Sequence, residues 1–284
     1  AFLLVLAALV NSGDEILMPD PCYPCNRHFV RLFDGKPVSI PVNAMQHYQP
    51  ALSDIQSAWG PRTRGVLLAS PSNPTGTIIT RPELAQIAAW VELQGGFVIV
   101  DEIYQSLWYD REPSTALALA GNVLVVNSFS KYFCMTGWRL GWLAAPAPYL
   151  RAMERLAQNV FICPSAPAQY GALAAFEPDT IAVLEERRLE FKRRRDILLP
   201  ALRGMGFSIP AAPEGAFYIY AGCERFAADS STFVHDVLDK AGLALTPGGD
   251  FGENGATGHV RVAYTRSMPE LTEGLERLDS YLRR

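Results

Sequence analysis

Three polar residues, Asn73, Asp101 and Lys131, stand 28 and 30 residues apart, and each follows a short apolar run. About 30 residues is the length of one strand–helix–strand unit. Open α/β sheets take their ligands at the C-terminal ends of their strands. Three adjacent units would therefore deliver an amide, a carboxylate and an amine to one crevice. A lysine there can serve as nucleophile and then as base, provided its surroundings favour the neutral amine. Taken singly, a Lys after a strand is usually a surface residue and an Asp is usually a cap, so the signal lies in the convergence. Ser128-Phe129-Ser130-Lys131 also fits the S-x-x-K pattern of serine acyl-enzymes, but the sequence holds neither S-D-N nor K-T-G. Walker A, H-E-x-x-H, G-x-S-x-G and G-x-G-x-x-G patterns are absent as well.

The elements that must position these groups are legible in the first 150 residues, where apolar strand, polar loop and helix repeat. Gly65 to Ala69 reads as a strand that ends in the turn-rich Ser70-Pro71-Ser72-Asn73-Pro74-Thr75-Gly76. Thr80 and Glu83 form a capping box for a helix through about Gln94, and Gly95-Gly96 stop it. Phe97 to Val100 is a second strand ending at Asp101, and Val123 to Val126 a third ending before Ser128 and Lys131. Leu140 to Ala145 is a fourth. Continuous apolar strands alternating with helices predict an α/β fold with a mainly parallel sheet covered on both faces. Beyond Pro178 the pattern changes. Asp179 to about Arg203 reads as one long helix closed by Gly204 and Gly206. Its Arg and Lys residues form a solvated face with pairs such as Glu190 and Arg194. Strands at 216–220 and 259–263 and helices at 231–240 and 269–283 then describe a smaller α+β domain. The predicted division is 1–178 and 179–284.

With 284 residues, 49% hydrophobic and 19% charged, the chain is long enough for about two domains. Its formal net charge of −4 argues against a nucleic-acid scaffold. Five cysteines, odd in number and scattered, make a poor disulfide framework and predict a reducing, cytoplasmic setting. Cys22 and Cys25 form a C-x-x-C with no second half to complete a metal site, so a shaped turn is expected there and no metal. Ala1 to Val10 is apolar throughout but has no basic segment before it and no cleavage site after it. As a helix at about 1.5 Å per residue it would cover half of a bilayer core of about 30 Å. It reads as a buried helix stopped by Asn11-Ser12-Gly13, and a chain opening in mid-helix suggests that its natural beginning lies upstream.

Together these segments resemble the class I/II aminotransferases, pyridoxal 5'-phosphate (PLP) enzymes of the aspartate aminotransferase fold. The resemblance rests on Ser-Pro-Ser-Asn-Pro-Thr-Gly (70–76), Val-Asp-Glu-Ile-Tyr (100–104), Ser-Phe-Ser-Lys (128–131) and Thr-Gly-Trp-Arg-Leu-Gly (136–141). Asp-Pro-Cys-Tyr-Pro (20–24), Pro-Glu-Gly-Ala-Phe-Tyr (213–218), Pro-Gly-Gly-Asp-Phe-Gly (247–252) and His-Val-Arg-Val-Ala-Tyr (259–264) extend it over nearly the whole chain. The N-terminal arm of such proteins is not among these residues.

The resemblance implies a role for each residue. Lys131 would form the Schiff base with PLP and later move the proton, with nearby cations such as Arg139 favouring its neutral form. Asp101 would pair with the pyridine nitrogen. Asn73 and Tyr104 would bond the ring's O3′, and Tyr23 would stack on the ring face. Ser128 and Arg139 would hold the phosphate, and Arg261 would clamp the substrate α-carboxylate, with Asn73 beside it. The Asn73–Pro74 peptide is expected to be cis. The helix of residues 1–10 is expected to aim its N-terminus at the phosphate. Because the turn before that helix is not among these residues, weak PLP binding is expected. The implied activity is ping-pong transfer of an amino group between an α-amino acid and a 2-oxo acid, in a homodimer. Two alternatives use the same residues: a C–S lyase or related PLP enzyme, and the PLP-binding effector domain of a transcription regulator.

Overall fold

The computed structural model describes residues 1–119 and 121–283. Helix α1 (Phe2–Leu9) precedes strand β1 (Glu15–Asp20), helix α2 (Cys25–Arg31) and strand β2 (Lys36–Pro41). Helix α3 (Leu52–Ala58) leads into β3 (Thr63–Ala69), α4 (Arg81–Leu93) and β4 (Phe97–Asp101). Strands β5 (Val123–Ser128) and β6 (Gly141–Ala144) complete a six-stranded sheet of order β2-β1-β3-β4-β5-β6. All its neighbours pair in parallel except β5 and β6.

Alternation along the strands explains why the sequence shows continuous apolar runs. Val66, Leu68, Val98 and Val100 pack on one face against Ile55 of α3 and Leu84, Ile87 and Val91 of α4. Leu67, Phe97, Ile99 and Leu124 pack on the other, against Val5 and Leu6 of α1 and Val30 of α2. Both faces are therefore dry, and each fully buried Leu, Ile or Val favours folding by about 1.5–3 kcal/mol over exposure. The Thr80–Glu83 capping box opens α4 as expected: Thr80 Oγ1 accepts from Glu83 N, and Glu83 Oε2 accepts from Thr80 N at 2.9 Å.

The remaining elements are α5 (Ala147–Val160), α6 (Ala166–Ala174) and the long α7 (Pro178–Met205). They are followed by β7 (Tyr218–Gly222), α8 (Ser230–Ala241), β8 (Thr246–Pro247), β9 (His259–Ala263) and α9 (Met268–Leu282). Strands β7, β9 and β8 form an antiparallel sheet in that order. A second apolar cluster joins it to α7, α8 and α9 through Leu198, Leu202, Ile219, Phe233, Val237, Val260 and Leu278. No helix among the described residues is long and apolar enough to cross a membrane.

The sheet is mainly parallel, as expected, and strand β6 runs antiparallel to β5, because residues 129–140 between them hold only a short 3-10 turn and no crossover helix. Two expectations change. Gly204 lies inside α7, which runs to Met205 and is closed by Gly206 alone, whose φ of 103° suits a residue without Cβ. The basic run of α7 is not wholly a solvated face. Glu190 and Arg194 do pair at 3.0 Å, but Arg188 and Arg195 are buried. Arg188 stacks on Trp108 with its guanidinium carbon 4.3 Å from the ring centre, and Arg195 pairs with Asp110 and donates to Pro213 O at 2.9 Å. These contacts tie α7 to the segment that follows Tyr104.

Candidate active site

The ends of β3, β4 and β5 open on one cavity of about 600 Å³, and Asn73, Asp101 and Lys131 all line it. Asp101 is the last residue of β4 and shares the facing of Phe97 and Ile99, toward α1. Its Oδ1 accepts from Ile103 N at 3.0 Å, a local turn that holds the carboxylate at the cavity wall. Burial pushes this carboxyl up to about 7, with Lys131 and the Ile103 amide working in the opposite direction. Such a group calls for a donor that will share its charge.

Lys131 stands three residues beyond the end of β5, where Cys134 N donates to its carbonyl at 3.0 Å and bends the chain. Its Nζ lies 5.9 Å from the ring centre of Tyr104 and 5.7 Å from that of Phe217. Burial, then Arg261 and Arg139, hold its ammonium below the ordinary lysine range, while Asp101 works against them. The cation contribution foreseen for Arg139 is present, but that of Arg261 is larger.

Asn73 sits in a loop closed by Ser72 N to Thr77 O (3.0 Å) and Gly76 N to Ser72 O (2.7 Å), and the Asn73–Pro74 peptide is cis. Arg261 projects from the middle of β9. Its Nη1 donates to Asn73 Oδ1 at 2.9 Å, its Nη2 reaches Thr246 Oγ1 at 3.4 Å, and its buried Nε has no partner. With its carbonyl oxygen taken by the guanidinium, Asn73 keeps its NH2 for a ligand. Tyr104 is buried, and burial together with Tyr218 raises its phenol well above the usual range.

Ser128, Arg139 and Tyr23 line the same cavity, as do Ala1 and Phe2 at the start of α1. Ser128 Oγ lies 2.8 Å from Ser130 Oγ, and Arg139 Nη1 donates to Thr136 O at 2.7 Å. Tyr23 is 38% exposed, so it is a wall residue and not a core aromatic; Trp138, at 47%, is no core residue either and lies outside the cavity lining. The expected site residues thus come together. Tyr218 and Ser130 also line the cavity although sequence patterns give them no role. An aromatic in an apolar strand reads as core, and only its place in the 213–218 motif distinguished Tyr218.

Among the described residues that line the cavity, three basic side chains, Lys131, Arg139 and Arg261, face one acidic one, Asp101. That balance suits an anionic ligand. The unpartnered Arg261 Nε fits a carboxylate, and the buried Asp101 fits a protonated ring nitrogen, so the donor set fits PLP and an amino acid. No group of three or more His, Cys, Asp or Glu among the described residues could hold a metal ion, and the five thiols are free.

Residues 1–278 match the family described as aminotransferase class I and II. The chain is 38% identical to a valine–pyruvate aminotransferase of Mycobacterium tuberculosis over 99% of its own length and 73% of that protein. It is 32% identical to an aspartate aminotransferase of Pyrococcus abyssi, over 100% of this chain and 74% of that one. The crystal structure of an aminotransferase from Mycobacterium tuberculosis superposes with a TM-score of 0.95 at 38% identity, covering 99% of this chain and 73% of its own. The fold, the cavity and the sequence thus lead to one assignment: the chain belongs to the class I and II aminotransferases, a family of PLP-dependent enzymes.

Proposed function

We propose that this protein transfers an amino group between an α-amino acid and a 2-oxo acid in two half-reactions, with Lys131 as the covalent anchor of PLP. The observation that carries the reading is the meeting of Lys131, Asp101, Asn73 and Arg261 on one cavity. When bound, PLP supplies an electron sink for the charge that builds on the substrate Cα. Asp101 holds the ring nitrogen's proton, and its burial makes that charge pairing strong. Lys131 Nζ takes the proton from the substrate Cα, helped by the burial and cations that favour its neutral amine. Arg261 clamps the α-carboxylate, and a planar fork with one arm already fixed on Asn73 is preorganised for it. Asn73 and Tyr104 bond the ring oxygen, Tyr23 covers the ring face, and Ser128 and Arg139 hold the phosphate.

In this reading residues 1–178 form the cofactor-binding domain and 179–284 the smaller one. The protein works as a cytoplasmic homodimer. Free thiols support the compartment. The exposed Val160, Phe161, Ile162, Tyr170 and Leu173 along α5, α6 and the turn between them supply an apolar face for a second copy.

The deciding experiment adds PLP, reduces with borohydride and maps the adduct. It then runs an amino-donor panel, valine included, with 2-oxoglutarate and pyruvate. An adduct on Lys131 and turnover that Lys131→Ala abolishes are expected. An adduct on another lysine overturns the assignment.

A further inference from the structure

We infer that Tyr218 is a positioning residue that couples the Arg261 carboxylate clamp to the hydroxyl of Tyr104. The inference rests on the reading of Lys131, Tyr104 and Arg261 given above. Tyr218 opens β7 opposite Ala263 of β9, and Tyr220 stands opposite Arg261. Tyr218 and Arg261 are therefore diagonal neighbours on the same face of the sheet, within reach of long side chains.

Two contacts make the coupling. The guanidinium carbon of Arg261 lies 4.2 Å from the centre of the buried Tyr218 ring, a cation–π contact. At its other end the same ring places its hydroxyl 2.9 Å from the hydroxyl of Tyr104. Tyr218 itself is buried and lines the cavity. One side chain thus carries the clamp on its face and Tyr104 on its tip.

The proton count fixes the sense of the hydroxyl pair. A phenol has one hydrogen to donate and two lone pairs. If Tyr104 gives its hydrogen to a ligand oxygen, the bond between the two phenols must run from Tyr218 to Tyr104. Donation from Tyr218 polarises the Tyr104 O–H and makes it a stronger donor. A ligand oxygen bonded by a stronger donor shares less of its charge with a proton on a neighbouring nitrogen, so that nitrogen is easier to deprotonate. Tyr218 therefore sets the protonation of the Lys131 nitrogen through Tyr104, and the placing of Arg261 through its ring.

Two variants separate the halves. Tyr218→Phe keeps the ring and removes the hydroxyl, while Tyr218→Leu removes both. In PLP-loaded protein, the pH midpoint of the cofactor's visible absorbance is expected to rise in Tyr218→Phe by about 0.5–1 unit, the worth of one hydrogen bond. Binding of 2-aminoisobutyrate, an amino acid with no Cα hydrogen, is expected to stay within about twofold in Tyr218→Phe and to weaken about tenfold in Tyr218→Leu. An unchanged midpoint in Tyr218→Phe overturns the coupling to Tyr104. Equal 2-aminoisobutyrate binding in all three proteins, or no saturable binding by the wild type, overturns the coupling to Arg261. Borohydride mapping on the wild type keeps the tests distinct: without a Lys131 adduct the parent reading fails and this inference with it. With the adduct present, only the Tyr218 arms decide.

Discussion

Arg261 Nη1 donates to Asn73 Oδ1 over 2.9 Å, a bond that joins the antiparallel sheet to the loop after β3 of the parallel one. Residues 188 positions apart thereby share one wall of the cavity. A guanidinium fixed at one arm loses little further freedom when it grips a carboxylate with its remaining donors.

Arg261→Ala is expected to weaken amino-acid binding by about 2–5 kcal/mol, the cost of removing one partner of a desolvated charge pair. PLP capture by Lys131 should persist, because Arg261 is not among the residues proposed to hold the cofactor. Steady-state kinetics with a saturable donor check the split. Equal losses in cofactor uptake and substrate binding would point to a structural role.

The same arginine also acts on the lysine. After burial, Arg261 is the strongest influence lowering the Lys131 ammonium pKa. The neutral amine that captures PLP increases as pH rises through that lowered value. Removing Arg261 raises the value, so the pH–rate curve for PLP capture should move to higher pH in Arg261→Ala. Stopped-flow absorbance without substrate reads this directly, and a shift to lower pH would contradict the charge argument.

Asp101 predicts a pH dependence of folding. Its carboxyl rises from 3.8 to about 7 in the fold because burial opposes the charged form. Between those values the folded protein binds more protons than the unfolded chain, so stability falls as pH rises. The loss is complete above about pH 7 and amounts to at most about 4 kcal/mol. Asp101→Asn should remove this slope, making the cofactor-free variant more stable than wild type at pH 8 but not at pH 4. Denaturant midpoints at the two pH values test it. With PLP bound the ranking for catalysis reverses: Asp101→Asn should leave PLP bound yet slow proton abstraction by several kcal/mol.

The site was legible where chemistry and spacing coincide. Asn73, Asp101 and Lys131 each stand beyond an apolar run that is unbroken because helices cover both faces of the sheet. Strand direction leaves no such mark, so β6 reads like its parallel neighbours although it returns antiparallel. Strands β1 and β2 show no such run. Glu15, Pro19 and Asp20 break the run in β1, and in the edge strand β2 only Ile40 is buried. Arg188 and Arg195 looked solvated because charge patterning along a helix cannot show that Trp108 and Asp110 wait opposite. Tyr218 needed the pairing of β7 with β9 before its neighbours could be known.

Gly76 offers the last test, because it fixes the loop that carries Asn73. Its φ of 69° is left-handed, and a Cβ there would lie 2.6 Å from Pro213 Cβ and 2.7 Å from Gly215 O. Its carbonyl accepts from Glu214 N and Gly215 N, both at 2.9 Å, so the loop after β3 is clamped against the segment leading to Tyr218. Gly95 has a similar φ of 71° but nothing within 4 Å of a built Cβ. Both Gly→Ala changes incur backbone strain of about 1–3 kcal/mol, and only Gly76→Ala adds the clash. Gly76→Ala should therefore unfold at lower denaturant than Gly95→Ala. It should also weaken amino-acid binding, since pushing the loop from Gly215 moves Asn73 away from Arg261. Equal stability and equal binding in the two variants would show that the clamp between this loop and residues 213–215 does not set the position of Asn73.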